Sequence, residues 1–356
     1  MKFRAGILGA TGAVGQKFIR LLANHPWFDI TALAASERSA GKPYREAARW
    51  IESVPLPEHI GNMVVQNVTP DLDCDLVFSG LDSSVAGHVE TAFADAGYPV
   101  ISNAKNHRMD PDVPLLIPEV NPEHIALIDR QQRPSGGFIV TNPNCATVGL
   151  TMALKPLHDA FGVETVHVMT MQALSGAGYP GVASLDATAN VIPFISGEED
   201  KLETEPLRIL APLSEGPSVS SLSFGISAQC NRVPVIEGHT ECVSVKLSRP
   251  ASPEEVMRVL RAWQAPEEVR VLPSSPEQCL VVDDAPDAPQ PRRDGHRGEG
   301  MTASVGRVRS CPVYDMRFVV LSHNTVRGAA GGAILNAELL GARGLLKHRT
   351  AEASHA

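Results

Sequence analysis

One cysteine in this sequence has the surroundings of a nucleophile. Cys145 follows Asn144 in the segment Asn-Pro-Asn-Cys-Ala-Thr, where an apolar strand pattern ends and a helical pattern begins. The positive end of a helix and its free backbone N–H groups lower the pKa of a thiol and favour the reactive thiolate. Asn144 and backbone donors beside it could hold an oxyanion. A buried, inert thiol would suit the same position, so position alone leaves both interpretations open.

A histidine and an arginine in one short segment could complete such a site. A thiolate nucleophile needs a neighbouring acid–base group, and histidine is the usual one. Among the twelve histidines, His239 stands out because it directly precedes a predicted strand and Arg232 lies seven residues earlier. Arginine binds carboxylates through paired hydrogen bonds. The segment therefore predicts an acid–base group beside a site for a carboxylate substrate.

A glycine-rich turn near the N-terminus predicts a dinucleotide-binding site. Gly9, Gly12 and Gly15 form a GxxGxxG pattern between a predicted strand, Phe3–Leu8, and a predicted helix, Val14–Asn24. Glycines let the backbone approach a pyrophosphate, and the helix N-terminus supplies free N–H groups and partial positive charge. We expect the contacts to come from Gly9, Thr11, Gly12, Ala13 and Val14.

The end of the second predicted strand indicates which dinucleotide is bound. An NAD-binding chain usually places Asp or Glu here for the ribose hydroxyls, whereas an NADP-binding chain places small polar residues and arginine for the 2′-phosphate. The residues after Ala35 read Ser-Glu-Arg-Ser-Ala-Gly-Lys, so Ser36, Arg38 and Ser39 could bind that phosphate. This pattern favours NADP(H). Glu37 would suit NAD instead.

The elements that position these residues predict an α/β fold. Buried apolar runs alternate with helical patterns in the first part of the chain, as expected for a parallel sheet with crossover helices. We expect a Rossmann-type dinucleotide-binding domain over residues 1–144. Its further strands are predicted at Asp29–Ala34, Asp75–Phe78, Val100–Ser102 and Gly137–Thr141, and a second helix at Ser84–Ala96.

Residues 145–323 show fewer such alternations and predict a mixed α+β domain. Residues 283–300 are rich in proline, glycine and charge, which is typical of a solvated loop. A final amphipathic helix is predicted at Arg327–Leu340, and residues 346–356 are expected to fray. The other predicted elements are helices Thr147–Phe161 and Pro253–Ala262, and strands Glu164–Met171, Thr240–Leu247 and Met316–Leu321.

Composition excludes several classes of protein. The chain has 356 residues, enough for about two domains, with 43% hydrophobic and 20% charged residues. A net charge of −9 disfavours nucleic acid or an anionic membrane as a partner, and no apolar run is long enough to span a bilayer. The six cysteines are scattered without paired spacing, so we expect no disulfide framework, no metal site and a cytoplasmic location.

Taken together, these motifs resemble the aspartate-β-semialdehyde dehydrogenase family, in its archaeal and fungal-like branch. The similarity covers nearly the whole chain. It includes the segments GILGATGAVGQ, ASERSAGK, TNPNCATVGL, QALSGAGYPGV, GEEDKL, NRVPVIEGHTE and SHNTVRGAAGG. The resemblance implies NADPH-dependent conversion of L-aspartyl-4-phosphate to L-aspartate 4-semialdehyde and phosphate, in the diaminopimelate, lysine, threonine and methionine pathways.

The resemblance also implies roles for individual residues. Cys145 would form a thioester, His239 would handle protons, and Gln172 would orient the acyl group. Arg232 would bind the substrate carboxylate, and Glu198 (or its neighbour Glu199) the amino group. Further matches are Lys201, Arg108 and Asn144 for substrate or phosphate, and Ser175, Gly176 and Asn324 for the cofactor.

The resemblance implies assembly through the second domain, as a homodimer or a dimer of dimers. It also implies that the C-terminal helix, residues 324–345, packs back on the first domain.

Two related enzymes remain alternatives: a malonyl-CoA reductase-like enzyme that acts on a CoA thioester, and N-acetylglutamyl-phosphate reductase. A nucleotide sensor without turnover is a third alternative, but a sensor has no need of a thiolate at a helix start.

Overall fold

The structure is a computed structural model that describes residues 2–214 and 218–349. The chain forms two units. The first comprises Met1–Leu116, Glu123–Asn142 and Ala333–Ala356, and the second comprises Ile117–Pro122 and Pro143–Gly332. Within the described residues, no helix has both the length and the apolar character required to cross a membrane.

The first unit is built on a five-stranded parallel sheet in the order β2-β1-β3-β4-β5. Most residues of these strands are buried, which is why the sequence shows short continuous apolar runs there. The order places β1 in the interior of the sheet, where its carboxyl end leads into the glycine turn. The strands are β1 (Phe3–Leu8), β2 (Phe28–Ala34), β3 (Leu76–Ser79), β4 (Pro99–Ser102) and β5 (Phe138–Thr141).

Helices cover the faces of this sheet. The longest, α4, begins after Asp82, whose carboxylate accepts a hydrogen bond from Ser84 N and caps the helix. The alternation of buried parallel strands and helices confirms the predicted α/β fold class. The helices are α1 (Ala13–Leu22), α2 (Tyr44–Ala47), α3 (Glu58–Asn62), α4 (Ser83–Asp95) and, from the C-terminal segment, α11 (Gly331–Ala342).

The second unit contains a six-stranded mixed sheet in the order β11-β12-β13-β10-β6-β9. Strand β10 is antiparallel to both of its neighbours, β13 and β6, and β12 is antiparallel to β13, while the edge pairs β11–β12 and β6–β9 are parallel. The strands are β6 (Val163–Gln172), β9 (Gly225–Arg232), β10 (His239–Leu247), β11 (Leu280–Asp283), β12 (Ala303–Ser310) and β13 (Met316–Ser322), and a separate hairpin pairs β7 (Leu213–Ser214) with β8 (Ser218–Val219).

A long buried helix, α5, contacts this sheet. Most of its side chains are buried, as are the apolar side chains of β6 and β10 that face the core. The shorter α8 starts at a capping box, in which Ser252 and Glu255 bind each other's backbone N–H groups. The helices are α5 (Cys145–Phe161), α6 (Ser184–Ala187), α7 (Glu198–Leu210), α8 (Pro253–Ala262), α9 (Glu267–Arg270) and α10 (Pro291–Asp294).

Residues 283–300 differ from the predicted solvated loop. The segment contains α10 and a short 3₁₀ turn, and Asp294 is buried. Arg297 binds the Asp283 carboxylate through both terminal nitrogens, at 2.6 and 3.0 Å, and donates to Asp294 at 2.9 Å. Bidentate pairs of this kind fix a guanidinium in one orientation. Ion pairs therefore order a segment whose composition is typical of a loop.

The C-terminal region also differs from the prediction. The helix is buried on all sides rather than amphipathic, and a π-helical turn, Val326–Ala330, precedes α11. Residues 346–349, predicted to fray, pack within the first unit: His348 and Arg349 both bind the buried carboxylate of Asp75. Residues 350–356 lie outside the described residues.

Candidate active site

Cys145 is the first residue of α5. The Asn144 side chain caps this helix, since its Oδ1 accepts hydrogen bonds from Ala146 N at 2.9 Å and Thr147 N at 3.3 Å. The thiol is partly exposed. Cys145 is therefore both at a helix N-terminus and accessible to a substrate, as expected for a reactive thiol and not for a structural one.

His239, the first residue of β10, lies against this thiol. Its Nε2 is 3.1 Å from Cys145 Sγ. Its Nδ1 is 3.1 Å from Ala173 N, and because a backbone N–H can only donate, Nδ1 accepts this bond and carries no proton. The proton of the neutral ring is therefore on Nε2 and faces the sulfur. His239 is thus oriented to donate a hydrogen bond to a thiolate.

The ring of His239 is completely buried, and burial lowers its pKa to about 3. The carboxylate of Glu198 acts in the opposite direction, and the guanidinium of Arg232 reinforces the lowering. The imidazole is consequently neutral near pH 7. Before reaction, the Cys145 sulfur therefore lies beside a neutral His239 imidazole and not beside an imidazolium ion.

Gln172 and Arg232 end two neighbouring strands side by side. They are paired in the parallel register of β6 and β9, and both side chains are buried. The amide Nε2 of Gln172 has no hydrogen-bond partner among the described residues. Since a buried donor without a partner is costly, this amide is suited to a ligand oxygen. Arg232 donates to Ala173 O at 2.7 Å, and burial lowers its pKa.

A buried carboxylate, that of Glu198, lies beside Asn144 at the start of α7. Its Oε1 accepts from Asn144 Nδ2 at 2.7 Å, and its Oε2 pairs with Lys201 Nζ at 2.8 Å. Burial alone would raise the pKa of Glu198, but Lys201 and the Asn144 amide outweigh it and hold the pKa below its usual value. The carboxylate therefore stays ionised beside the end of α5.

The neighbouring carboxylate, Glu199, faces elsewhere. Its Oε1 accepts a hydrogen bond from Cys230 N at 3.0 Å, which ties α7 to β9. Glu205, about two helical turns after Glu198, accepts a hydrogen bond from Asn144 N at 2.7 Å. Of the two adjacent glutamates that sequence left as alternatives, Glu198 is the one that lies with the site residues.

Ser175, Gly176 and Asn324, matched by resemblance to cofactor contacts, lie next to His239. Asn324 donates to Ser175 Oγ at 2.8 Å and accepts from Gly238 N at 2.9 Å. A Cβ on Gly176 would lie 2.7 Å from Arg232 Nη1 and 3.1 Å from His239 Cε1. A side chain at this position would displace the Arg232 guanidinium and crowd the His239 ring.

Gly328, which was not predicted from the sequence, lies against Cys145. A Cβ at this position would lie 2.7 Å from Cys145 Cβ, 2.8 Å from its Cα and 2.9 Å from its carbonyl oxygen. These are closer than real side chains approach, and two of the three atoms belong to the backbone. The glycine lets the segment after β13 pass directly beside Cys145.

The glycine turn in the first unit fits a dinucleotide. Gly9 has a φ of +74°, and a Cβ there would lie 2.8 Å from Gly80 O. A Cβ on Gly15 would lie 2.3 Å from Gly9 O. Gly12 precedes α1, and no side chain caps that end of the helix. The turn therefore brings bare backbone and the start of a helix together, as a pyrophosphate site requires.

Ser36, Arg38 and Ser39 form a turn just after β2 in the same unit. Ser39 N donates to Ser36 O at 2.8 Å, and both Ser36 and Arg38 are exposed. Arg108, the predicted phosphate ligand, also belongs to the first unit, where it is buried and donates to Asn103 O at 2.7 Å.

Comparisons with known proteins agree with this geometry. Family models of the semialdehyde dehydrogenase NAD binding domain and dimerisation domain match residues 4–128 and 154–327. The aspartate-semialdehyde dehydrogenase of Archaeoglobus fulgidus is 52% identical, with 96% of this chain and 98% of the relative covered. That of Cryptococcus neoformans is 48% identical, with 97% and 99% covered.

The chain belongs to the aspartate-semialdehyde dehydrogenase family. Its activity is that of an oxidoreductase of amino-acid biosynthesis, as sequence predicted, and the malonyl-CoA reductase-like alternative is not favoured. Among solved structures, the Candida albicans aspartate-semialdehyde dehydrogenase with NADP has a TM-score of 0.90 and 46% identity, covering 97% of this chain and 100% of that one. The enzyme II of Vibrio cholerae, complexed with ASA, has a TM-score of 0.76 and 30% identity, covering 96% and 98%.

In this structure, the predicted site residues of the second unit lie in one region, together with two residues that were not predicted. Contacts link Cys145, His239, Asn144 and Glu198 directly, and Gln172 and Arg232 join through the sheet register. Glu205 and Gly328 were not predicted from the sequence. Glu205 could have been found from its spacing, because positions 198, 201 and 205 share one face of a helix. Nothing local marks Gly328.

Proposed function

We propose that this enzyme converts L-aspartyl-4-phosphate to L-aspartate 4-semialdehyde, with release of phosphate, through a thioester on Cys145. The observation that carries the proposal is the position of Cys145 at the start of α5, where its Sγ lies 3.1 Å from Nε2 of the buried, neutral His239. The thiolate attacks the acyl carbon, a C–S bond forms, and the C–O bond to phosphate breaks. Phosphate leaves with the electron pair of that bond.

His239 stabilises negative charge beside the sulfur. With Nδ1 occupied by the Ala173 N–H, the ring presents Nε2–H to the thiolate and then to the oxygen of each tetrahedral intermediate. Transfer of a whole proton through the ring requires protonation of Nδ1. The hydrogen bond from Ala173 must therefore open in that step. Gln172, whose Nε2 has no hydrogen-bond partner in the described part of the chain, donates to the carbonyl oxygen of the acyl group.

The charged residues around the pair suit a zwitterionic substrate. Arg232 binds the α-carboxylate with the part of its guanidinium that Ala173 does not occupy. Glu198, held ionised by Lys201 and Asn144, binds the α-ammonium group. Lys201 and Arg108 are proposed to bind phosphate. Specificity for an aminated substrate then depends on one buried carboxylate.

The cofactor is NADP(H), which supplies the hydride that reduces the thioester. The glycine turn after β1 would hold its pyrophosphate, and Ser36, Arg38 and Ser39 its 2′-phosphate. Support comes from the bare backbone at Gly9 and from the NADP complex of the Candida relative. Ser175, Gly176 and Asn324 would contact the cofactor beside His239. The proposal includes no metal in the reaction.

The assay is reduction of NADP at 340 nm with aspartate semialdehyde, with and without phosphate, for the natural protein and Cys145→Ala. We expect phosphate-dependent absorbance that disappears in Cys145→Ala. Signal that does not depend on phosphate would refute the acyl-phosphate reaction. Signal that persists in Cys145→Ala would refute the nucleophile. A folded natural protein without signal would redirect the search to malonyl-CoA with NADPH.

We propose a homodimer for the assembly. The second unit matches a family dimerisation domain and exposes several large apolar side chains along residues 185–194, including Leu185 at 90%, Phe194 at 65% and Val191 at 55% exposure. Apolar groups this exposed are typical of protein interfaces. Light scattering should give twice the chain mass, and Leu185→Asp should shift the equilibrium towards monomer. An unchanged mass in Leu185→Asp would place the interface elsewhere, and four times the chain mass would indicate a dimer of dimers.

A cytoplasmic location is also proposed. All six cysteines lie in described residues and none forms a disulfide. Free thiols are typical of a reducing compartment, and a thiolate nucleophile depends on one. Fractionation of the source cells with a specific antibody tests this.

A further inference from the structure

Two histidines and a glutamate form a cluster that the reaction does not use. His323 Nε2 lies 3.4 Å from Glu237 Oε2, and the rings of His296 and His323 meet edge-on with centroids 4.9 Å apart. One ligand atom from each of the three side chains lies within 4.8 Å of the other two. These residues, Glu237, His296 and His323, are called the His–His–Glu cluster below.

The three side chains come from separate segments of the second unit. Glu237 lies in the loop before β10, His296 follows α10, and His323 follows β13. The histidines lie 59 and 86 residues after the glutamate, so no short motif marks the cluster. The scattered cysteines predicted no metal site, because ligands that only the fold brings together leave no pattern in the sequence.

Neighbouring groups restrain two of the three side chains. Thr325 Oγ1 donates to Glu237 Oε1 at 3.0 Å and lies 3.5 Å from Nδ1 of His323. His323 is buried, and Glu237 is partly buried. A hydroxyl that contacts both ligands from the outside limits their rotation, as outer groups do in metal sites. His296 is exposed and provides an open side through which an ion can enter.

We propose that the His–His–Glu cluster binds a divalent transition-metal ion of the zinc type, separate from the catalytic pair. Two imidazoles and one carboxylate form a donor set that zinc uses in proteins, with water in the remaining position. Ligand atoms around tetrahedral zinc, at bond lengths of ~2.0–2.2 Å, lie ~3.3–3.6 Å apart. Rotation of the exposed His296 side chain would bring the present separations, which are up to 4.8 Å, to this spacing.

A bound ion would connect the cluster to the catalytic region. Glu237 lies two residues before His239, and the peptide between them is fixed by the hydrogen bond from Gly238 N to Asn324 Oδ1. His323 directly precedes Asn324. The ion would therefore link the two segments that carry His239 and Asn324, and it would stabilise their present arrangement. This inference concerns ion binding alone and does not depend on the proposed reaction.

The catalytic pair must be removed from the measurement, because a thiolate and an imidazole 3.1 Å apart also bind zinc. The parent protein for the test is therefore Cys145→Ala. Cobalt(II) serves as the probe, since it accepts the same ligands as zinc and has visible d–d absorption. A second protein adds His296→Ala. A matched control adds His59→Ala, which removes an exposed histidine from α3 in the first unit.

Each protein is titrated with Co²⁺ and then with Zn²⁺ as competitor, and the melting temperature is recorded with and without Zn²⁺. We expect Cys145→Ala and its His59→Ala derivative to bind one Co²⁺ each, lose it to Zn²⁺, and melt at a higher temperature with Zn²⁺. The His296→Ala derivative should bind about tenfold more weakly or worse, since even an outer partner is worth 10–100-fold. A Cys145→Ala protein that binds no ion would overturn the proposal, as would equal binding by the His296→Ala derivative.

Discussion

Replacing Glu198 with glutamine removes one negative charge and preserves the shape of the side chain. In the natural protein this carboxylate is 6% exposed and contacts Asn144 Nδ2 at 2.7 Å and Lys201 Nζ at 2.8 Å. The amide oxygen of glutamine can still accept from Asn144. Lys201 reaches solvent, with its side chain 24% exposed, so the lost ion pair should not unfold the site. What disappears is the ionic partner of the substrate ammonium group.

The size of the effect follows from that loss. A hydrogen bond between charged groups contributes about 1.5–3 kcal/mol, which corresponds to roughly 10- to 150-fold in kcat/KM. Glu199→Gln is the matched control, because the adjacent carboxylate accepts from Cys230 N and does not contact the other site residues. We expect Glu199→Gln to change kcat/KM by less than about threefold, as for a change away from the substrate.

The assay compares aspartate semialdehyde with succinate semialdehyde, which is the same molecule without its amino group. The phosphate-dependent rate is measured at 340 nm for each substrate and protein. Glu198→Gln should lose activity towards the aminated substrate and little towards the other, so that discrimination between them narrows. Equal losses for both substrates would show that Glu198 acts through Asn144 or Lys201 rather than on the ammonium group. Equal effects of Glu198→Gln and Glu199→Gln would also refute the reasoning.

Three further predictions follow from the structure. The pKa of His239 is about 3 in the folded state and ~6.5 in the unfolded state. Between these pH values the unfolded state binds more protons than the folded state. The free energy of unfolding therefore falls as the pH decreases through this range, by up to ~1.4 kcal/mol per pH unit. Urea unfolding at pH 6.5 and 5.0 should show a weaker pH dependence for His239→Gln, and an unchanged dependence would contradict a buried neutral ring. Gly328→Ala should displace the Cys145 backbone, destabilise the protein by about 1–3 kcal/mol and lower kcat. The control is Gly225→Ala, whose Cβ would meet only a Thr165 methyl group at 3.8 Å and should change neither stability nor kcat. Similar kcat values for the two variants would refute the steric argument. Arg38→Ala should weaken NADPH binding by roughly 10- to 150-fold and leave NADH binding unchanged, whereas Glu37→Gln should leave NADPH binding unchanged. Fluorescence titration measures both affinities. Weaker binding of both cofactors by Arg38→Ala would contradict a contact between Arg38 and the 2′-phosphate.

Sequence predicted the first unit well because its strands are buried on both faces. β1 has the predicted bounds, and the predicted strand 75–78 lies one residue from β3 at 76–79. Continuous apolar runs of this kind are readable without any tertiary information. The mixed sheet was harder, and β9 was missed. That strand lies at the sheet edge, and its buried side chains are Ala228, Cys230 and Arg232, so it shows no run of large apolar residues.

The site shows the same division. Cys145, His239 and Arg232 were found from local context, because a helix start or a strand end identifies each one. Glu205 and Gly328 act through contacts with residues distant in the sequence, 61 positions away for the bond from Asn144 N to Glu205. The order in residues 283–300 has the same origin, since Arg297 reaches back 14 residues to Asp283. Composition carries no information about such pairs.

The central claim is that Cys145 carries the acyl group, and mass spectrometry tests it most directly. The protein is incubated with aspartate semialdehyde and NADP in the absence of phosphate, quenched in acid and digested. The peptide that contains Cys145 should gain the mass of an aspartyl group, the adduct should be absent from Cys145→Ala, and added phosphate should discharge it before the quench. An active protein that forms no adduct at Cys145, or one whose adduct survives phosphate, would contradict the account.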